Sequence, residues 1–283
     1  MAIDTEPIGA ARPASIPAPI TDLEGRPRRT FYQRHETLIL GGGGVALVMG
    51  IWQAFWSAGM ISPLFFSGPS AIAKRFWEDI LRGTLLSDIV YSGRNFAIGF
   101  VLATFAGVVL GVLVGWYKRL AMILDPFLNA LYATPRVAMV PLIIIWFGIG
   151  MWSKVFIVFI SAFFPVLVNT IGGVRATDAD LLRAARAFCA SDWQIFTTLA
   201  IPGAVPFILT GVRQGVALGL IGVVVGEMFG GSEGVGFRVA YGGQTFATDT
   251  LFTGVLIIAF AGIMLTWFAE RLEKRFSRWR PER

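Results

Sequence analysis

On either side of one polar stretch, Thr177 to Pro206, the chain stays apolar for longer than a soluble core can hide. A helix that crosses a bilayer needs about 20 consecutive, predominantly apolar residues. Six segments meet that need: Thr37 to Phe55, Tyr91 to Gly115, a broken third one (Leu120 to Ala133, then Val137 to Gly148 after Pro135), Val155 to Ile171, Pro202 to Phe229, and Phe252 to Ala269. Charged residues make up 15% of the chain, against about a quarter in a soluble domain. The sequence therefore predicts an all-α integral membrane protein with about six transmembrane helices. Its 33 glycines suit that class, because small residues let membrane helices approach closely.

Charge sets the expected orientation. Arg26, Arg28, Arg29, Arg34, Lys118, Arg119, Arg175, Arg183 and Arg186 fall on the side of the N-terminus, as do the basic residues after Ala269. The opposite side holds Lys74, Arg75, Arg82, Lys154 and Arg238, the first three diluted by Glu78, Asp79 and Asp88. Positive charge is retained on the cytoplasmic side, so both termini are expected inside. The proline-rich, arginine-bearing residues 1–35 read as a disordered cytoplasmic tail, and residues 36–56 as a first transmembrane anchor. Residues 57–88 read as an outer loop. It carries an amphipathic helix from about Ser70 to Leu81, with Ile72, Phe76, Trp77 and Ile80 on its apolar face. Residues 271–283 read as a basic cytoplasmic tail. The Gly41–Gly44 run reads as a place of close helix packing or a flexible start to the first span.

The polar stretch has the marks of two short helices. Thr177 can cap the first, with Asp180 three residues on, and acids in the first turn suit the positive end of a helix. Leu181, Leu182, Ala185, Phe188 and Cys189 recur at helical spacing, with Arg183 and Arg186 on the other side. Ser191 offers a second cap, with Gln194 at the third helical position. Pro202 and Pro206 are expected to end or kink the second helix.

This stretch resembles the EAA loop of permease subunits of bacterial ATP-binding-cassette importers. Ala184 and Ala185 match its two alanines, and Ile201-Pro202 its later aliphatic–proline pair. Arg183 stands where that loop has glutamate, and Cys189 where it has glycine. Further segments carry the resemblance toward the nitrate, sulfonate, taurine and bicarbonate branch: PLIIIWFGIG (Pro141 to Gly150), FFPVLVNTIGGVR (Phe163 to Arg175), LTGVRQGVALGLIGVVVGEMFG (Leu209 to Gly230) and TDTLFTGVLIIAFAG (Thr248 to Gly262). It implies a type I importer permease with a cytoplasmic coupling helix, in which residues 89–270 form the permease core and 176–200 the coupling loop. It implies a multi-pass protein of the bacterial inner membrane that forms the translocation pathway for a small anion. A second permease copy, expected to be a homodimer partner, a cytoplasmic ATPase dimer that binds ATP and Mg, and an extracytoplasmic substrate-binding protein would complete the system. The coupling residues so implied are Asp180, Arg183, Ala184, Ala185, Ala187 and Cys189.

The chain's four lysines (Lys74, Lys118, Lys154 and Lys274) never follow a glycine, so no phosphate-binding loop occurs. One cysteine, Cys189, and one histidine, His35, provide neither a zinc set nor a nucleophile pair. No catalytic, cofactor or metal site is expected in this chain, and its net charge of +6 lies where membrane topology, not nucleic acid, explains it. Polar groups at membrane depth are costly and point to the pathway. Thr134 at the broken span, Asn169, Arg213 and Glu227 are the candidates. Arg136, beside Pro135, reads as support for broken-helix backbone. Arg213 and Glu227 share a face about 21 Å apart, too far to pair. Arg213 would either attract an anion to a cavity or pair with a neighbouring carboxylate. Glu227 would line a gate, meet an outer partner or sit at the interface. A self-sufficient secondary carrier or channel is the alternative class. It is disfavoured because the spans show no inverted duplication and no chain of carboxylates.

Overall fold

A computed structural model describes residues 31–60 and 62–276. The expected tail up to residue 30, and residues 277–283, lie outside the described residues. Every described element is helical: α1 (Phe31–Ser57), α2 (Pro69–Leu81), α3 (Thr84–Trp116), α4 (Lys118–Ala133), α5 (Val140–Phe147), α6 (Met151–Arg175), α7 (Ala179–Ala187), α8 (Asp192–Ile195), α9 (Ile201–Gly230), α10 (Val235–Gln244) and α11 (Thr248–Phe276). Inside a bilayer each backbone polar group must be satisfied within its own segment, which leaves helices as the answer for runs of this kind. Two ends run further than expected. α1 begins at Phe31, inside the predicted tail, and α11 continues through the basic residues to Phe276.

The chain divides into two units, up to Ala54 and from Phe55 onward. In the first, α1 supplies one apolar helix long enough to cross a membrane. Gly41 to Gly44 all lie within this helix.

In the second unit α3, α6 and α9 make the core. Val158 of α6 lies against Phe96 of α3 and Val216 and Val223 of α9. The approach is close because glycines line the contact. A Cβ on Gly99 would stand 2.6 Å from the Val155 carbonyl, and one on Gly222 2.7 Å from Ser161 Oγ. Lipid tails give helices no hydrophobic reason to associate, so backbone proximity and van der Waals contact carry the packing. The outward faces are greasy: Phe105 is 70% exposed and Phe260 64%, as expected where the surrounding solvent is hydrocarbon.

Four helices of this unit are long and apolar enough to cross a membrane, namely α3, α6, the run Asp192–Gly230, and α11. The broken pair expected around Pro135 is present. α4 ends at Thr134 in extended conformation, a 3-10 turn covers Arg136–Met139, and α5 leaves at 88°. Pro141 does not interrupt anything; it lies in the first turn of α5, where a missing N–H costs nothing.

Of the two outcomes expected at Pro202, an end or a kink, the end does not occur. A π segment, Phe196–Ala200, joins α8 to α9 with Ile201 N–H bonded to the Phe196 carbonyl, and the wider turn accommodates the proline ring. Pro206 lies within α9. Asp192 to Gly230 is thus one 39-residue helical run, about 58 Å at helical rise. The stretch after Phe229 folds into α10, which packs on α9 and α11. α2 packs on α11 and α3, and its buried face holds Asp79 as well as Ile72, while Phe76, Trp77 and Ile80 stay exposed.

Candidate functional site

Three places in the bundle carry polar chemistry. The first is the loop between α6 and α9. Its first helix, α7, is capped by Asp178, not Thr177: the Asp178 carboxylate accepts from the Asp180 and Leu181 N–H groups. Thr177 instead donates its hydroxyl to the Val174 carbonyl, closing the end of α6. α7 stops in a Schellman turn. Ala190 N–H reaches back to the Ala185 carbonyl at 3.0 Å and Cys189 N–H to that of Arg186 at 2.9 Å. The turn needs a left-handed residue, and Cys189, which stands where the resembled loop has glycine, adopts φ +58 there. The Ser191–Gln194 capping box then starts α8. Trp193 and Trp116 both meet the Phe196 ring in tilted contacts, with centroids 5.6 Å and 5.0 Å away, and so hold the returning leg against the end of α3.

This rigid loop displays its apolar side chains outward. Phe188 is 87% exposed, Trp193 71% and Leu181 54%. Of the predicted coupling residues, Asp180, Arg183, Ala184, Ala187 and Cys189 are exposed and Ala185 is half-buried. Arg183, standing where the resembled loop has glutamate, forms an ion pair with Asp180 one turn earlier. The three large apolar groups were not singled out as site residues. Phe188 and Leu181 did stand out by helical spacing, but nothing local in the sequence shows that the bundle leaves them uncovered.

The second place is the break between α4 and α5. A cavity of about 400 Å³ lies there, lined by Thr134, Arg136, Ser161 and Gly222 among apolar neighbours such as Val140 and Ile157. The Thr134 hydroxyl donates to the Ala130 carbonyl at 2.9 Å, supplying a cap where α4 ends. A second cavity, of about 300 Å³, lies between α4 and α6 and reaches the Asp125–Arg175 ion pair at the loop end of the bundle. Tyr132 and Phe164 border it, and Tyr132 borders the first cavity as well.

Three predicted pathway residues do not line the first cavity. Asn169 donates to the Pro165 carbonyl and to Gln214 Oε1, tying α6 to α9. Arg213 pairs with Glu270 at 3.8 Å and Glu273 at 3.5 Å, which joins α9 to α11 near the loop end. Glu227 is wholly buried, the centre of the third place. Its carboxylate accepts from Ser92 Oγ at 2.8 Å and from Gly236 N–H at 2.9 Å. One turn on, Lys154 donates to the Gly230 and Ile149 carbonyls. Nearby, Arg238 of α10 bridges Asp79 of α2 and Asp88 of α3. These groups fasten the end of the bundle opposite the loop. Among the described residues no cluster of histidine, cysteine and carboxylates could hold a metal.

A glycine-packed bundle of membrane helices, one of them broken beside an open cavity, and an ordered loop offering apolar groups define a multi-pass membrane transport component. The chain belongs to the family described as binding-protein-dependent transport system inner membrane component, which it matches over residues 103–278. It is 35% identical to the putative aliphatic sulfonates transport permease protein SsuC of Bacillus subtilis, over 90% of this chain and 91% of that protein. It is 29% identical to the taurine transport system permease protein TauC of Escherichia coli, over 92% of this chain and 96% of that one. Among solved structures, one of the MetNI methionine ABC transporter in inward-facing conformations shares the fold. The TM-score is 0.59 at 16% identity, over 68% of this chain and 96% of that chain.

Proposed function

We propose that this chain is the pathway-forming permease of an ATP-driven importer for small organic anions of the sulfonate or taurine kind. In this reading the loop between α6 and α9 is the cytoplasmic coupling element, with both termini inside. Two copies of the chain form the pathway. A separate ATPase dimer, with its ATP and Mg, grips the loop, and an extracytoplasmic binding protein delivers the cargo. The chain itself performs no chemistry.

The observation that carries the reading is the exposure of Phe188, Trp193 and Leu181 on an element otherwise held rigid by an Asx cap, a Schellman turn and a capping box. Large apolar groups fixed outside a fold mark an interaction surface, and a short helix bearing them suits insertion into a partner's groove. The mechanics rest on the continuity of the helix. A push on α8 enters a single helical run that reaches Gly230 at the far end of the bundle. That run borders the broken-helix cavity through Gly222 and Val225. Motion of the ATPase pair would therefore reach the cavity through a stiff rod, while Asp125–Arg175 links α4 to the base of the loop.

The test is co-purification of the ATPase with Phe188→Asp. The expected result is loss of ATPase recovery with normal yield and helicity of the permease. Full recovery would refute the assignment of the loop. Accumulation of an anion by the chain alone, in vesicles without ATP, would favour a secondary carrier instead.

A further inference from the structure

An arginine inside a membrane bundle ordinarily recruits a carboxylate. Arg175 has Asp125, Arg213 has Glu270 and Glu273, and Arg238 has Asp79 and Asp88. Among the described residues Arg94 and Arg136 have none; Arg94 is exposed on α3 with its guanidinium 5.6 Å from the centroid of the Tyr91 ring, whereas Arg136 borders a cavity. Its guanidinium lies 5.5 Å from the centroid of the Tyr132 ring and 5.4 Å from that of Phe164, and its Nε is buried without a hydrogen-bond partner. Aromatic faces orient a guanidinium without neutralising it. The backbone also holds Arg136 in place, since it opens the 3-10 turn directly after Pro135.

The cavity that Arg136 borders contains no carboxylate among its lining residues. A single positive charge in a cleft with low-dielectric walls creates a field that favours anions. The rest of the wall is largely apolar, including Val140, Ile157, Ile221 and Val225. A guanidinium fork beside an aliphatic wall matches a ligand with an oxyanion head and a short carbon stem. We propose that this cavity is an oxyanion-binding station on the translocation path and that Arg136 supplies its charge. Tyr132 borders both this station and the second cavity, and Phe164 borders the second, so the head group would rest beside rings that the path toward the loop end shares. The inference rests on the permease reading and adds to it the residue that selects charge.

The experiment uses the full chain in lipid nanodiscs, with Thr134→Cys placing a thiol on the cavity wall. Two thiol reagents of similar size are compared, a sulfonatoethyl and a trimethylammonioethyl methanethiosulfonate. The native, exposed Cys189 in the same molecules is the internal reference. A unit charge a few ångströms away, at the effective dielectric of a protein, biases ion concentration by more than about tenfold. The anion-to-cation rate ratio at position 134 should therefore exceed that at Cys189 by at least about tenfold. Arg136→Gln should remove the excess, Arg136→Lys should keep most of it, and millimolar ethanesulfonate should slow labelling at 134 only while position 136 is cationic. Val137→Glu sets a carboxylate beside Arg136 at an exposed position, and it should remove the excess even if the glutamine variant does not fold. Equal ratios at 134 and Cys189, or an excess that survives Arg136→Gln or Val137→Glu, would overturn the proposal. Those results leave ATPase docking untouched, whereas failure of the wild-type chain to recover an ATPase would strike the importer reading and not the charge preference.

Discussion

The carboxylate of Glu227 fills the space that a side chain at position 234 would need: a Cβ on Gly234 would lie 2.5 Å from Glu227 Oε2. Gly234 also has φ +105, a region open in practice to glycine alone. The chain leaving α9 therefore folds back over a buried acid, and the next N–H groups bind what surrounds it. Gly234 N–H reaches Asp88, Val235 N–H reaches Ser92, and Gly236 N–H reaches Glu227. Gly234→Ala should lower stability by about 1–3 kcal/mol from backbone strain alone, with the clash in addition. Thermal unfolding of the detergent-solubilised chain measures this, and an unchanged midpoint would contradict the packing described.

Replacing Glu227 separates charge from hydrogen bonding. Glu227→Ala strands the Ser92 hydroxyl and the Gly236 N–H in a buried place, at about 1–3 kcal/mol for each unmet group. Glu227→Gln keeps an acceptor oxygen and should be much milder. The comparison is read as the difference in unfolding midpoint and in membrane yield. Equal losses would mean that the negative charge itself is required.

Arg238 is 8% exposed and touches Asp79, Asp88 and Thr84 at once. Removing one partner of a buried ion pair costs about 3–5 kcal/mol when the other charge is left without compensation; here Asp79 keeps Arg75 at 2.9 Å, and Asp88 is the carboxylate that loses its counter-charge. Arg238→Ala should fail to accumulate, and Arg238→Lys should rescue poorly, since a single ammonium cannot span a three-partner fork. Expression and gel-filtration profiles of both variants decide the point.

Arg213 makes the opposite case. Its pairs with Glu270 and Glu273 are longer and partly exposed. Exposed ion pairs contribute about 0–1 kcal/mol, so Arg213→Ala should shift the unfolding midpoint little. A double-mutant cycle with Glu273→Gln gives the coupling directly, and a large coupling would show that the site is drier than its exposure indicates.

Cys189 occupies the left-handed position of the Schellman turn. A residue with a Cβ costs roughly 1–2 kcal/mol there relative to its preferred conformations. Cys189→Gly should therefore firm the turn, and Cys189→Val should loosen it, because β-branched residues tolerate positive φ least. Amide exchange across residues 184–191 is the readout. Slower exchange in the valine variant would contradict the assignment.

Much of the architecture could be read from local pattern. The apolar runs marked the spans within several residues, Pro135 marked the broken pair, and Ser191 with Gln194 marked the start of α8. Where local reading failed, another part of the chain supplied the missing partner. α10 comes after a glycine-rich turn with weak periodicity, and it forms because Glu227, Asp88 and Ser92 receive its first N–H groups. Thr177 looked like the cap of α7, but the end of α6 takes its hydroxyl and leaves the task to Asp178.

By itself the sequence determined that this is a membrane bundle with one ordered polar loop. Hydrophobic length and capping chemistry are properties of neighbouring residues, and no distant contact is needed to read them. Only the tertiary structure decided which polar groups are spent and which are free. Glu227 and Arg213 are engaged, Arg136 lacks a counter-charge among the described residues beside a cavity, and Phe188 stands exposed. Pairings such as Arg238 with Asp79, 159 positions apart, depend on how whole helices pack, and packing is settled by shape and close approach across the bundle.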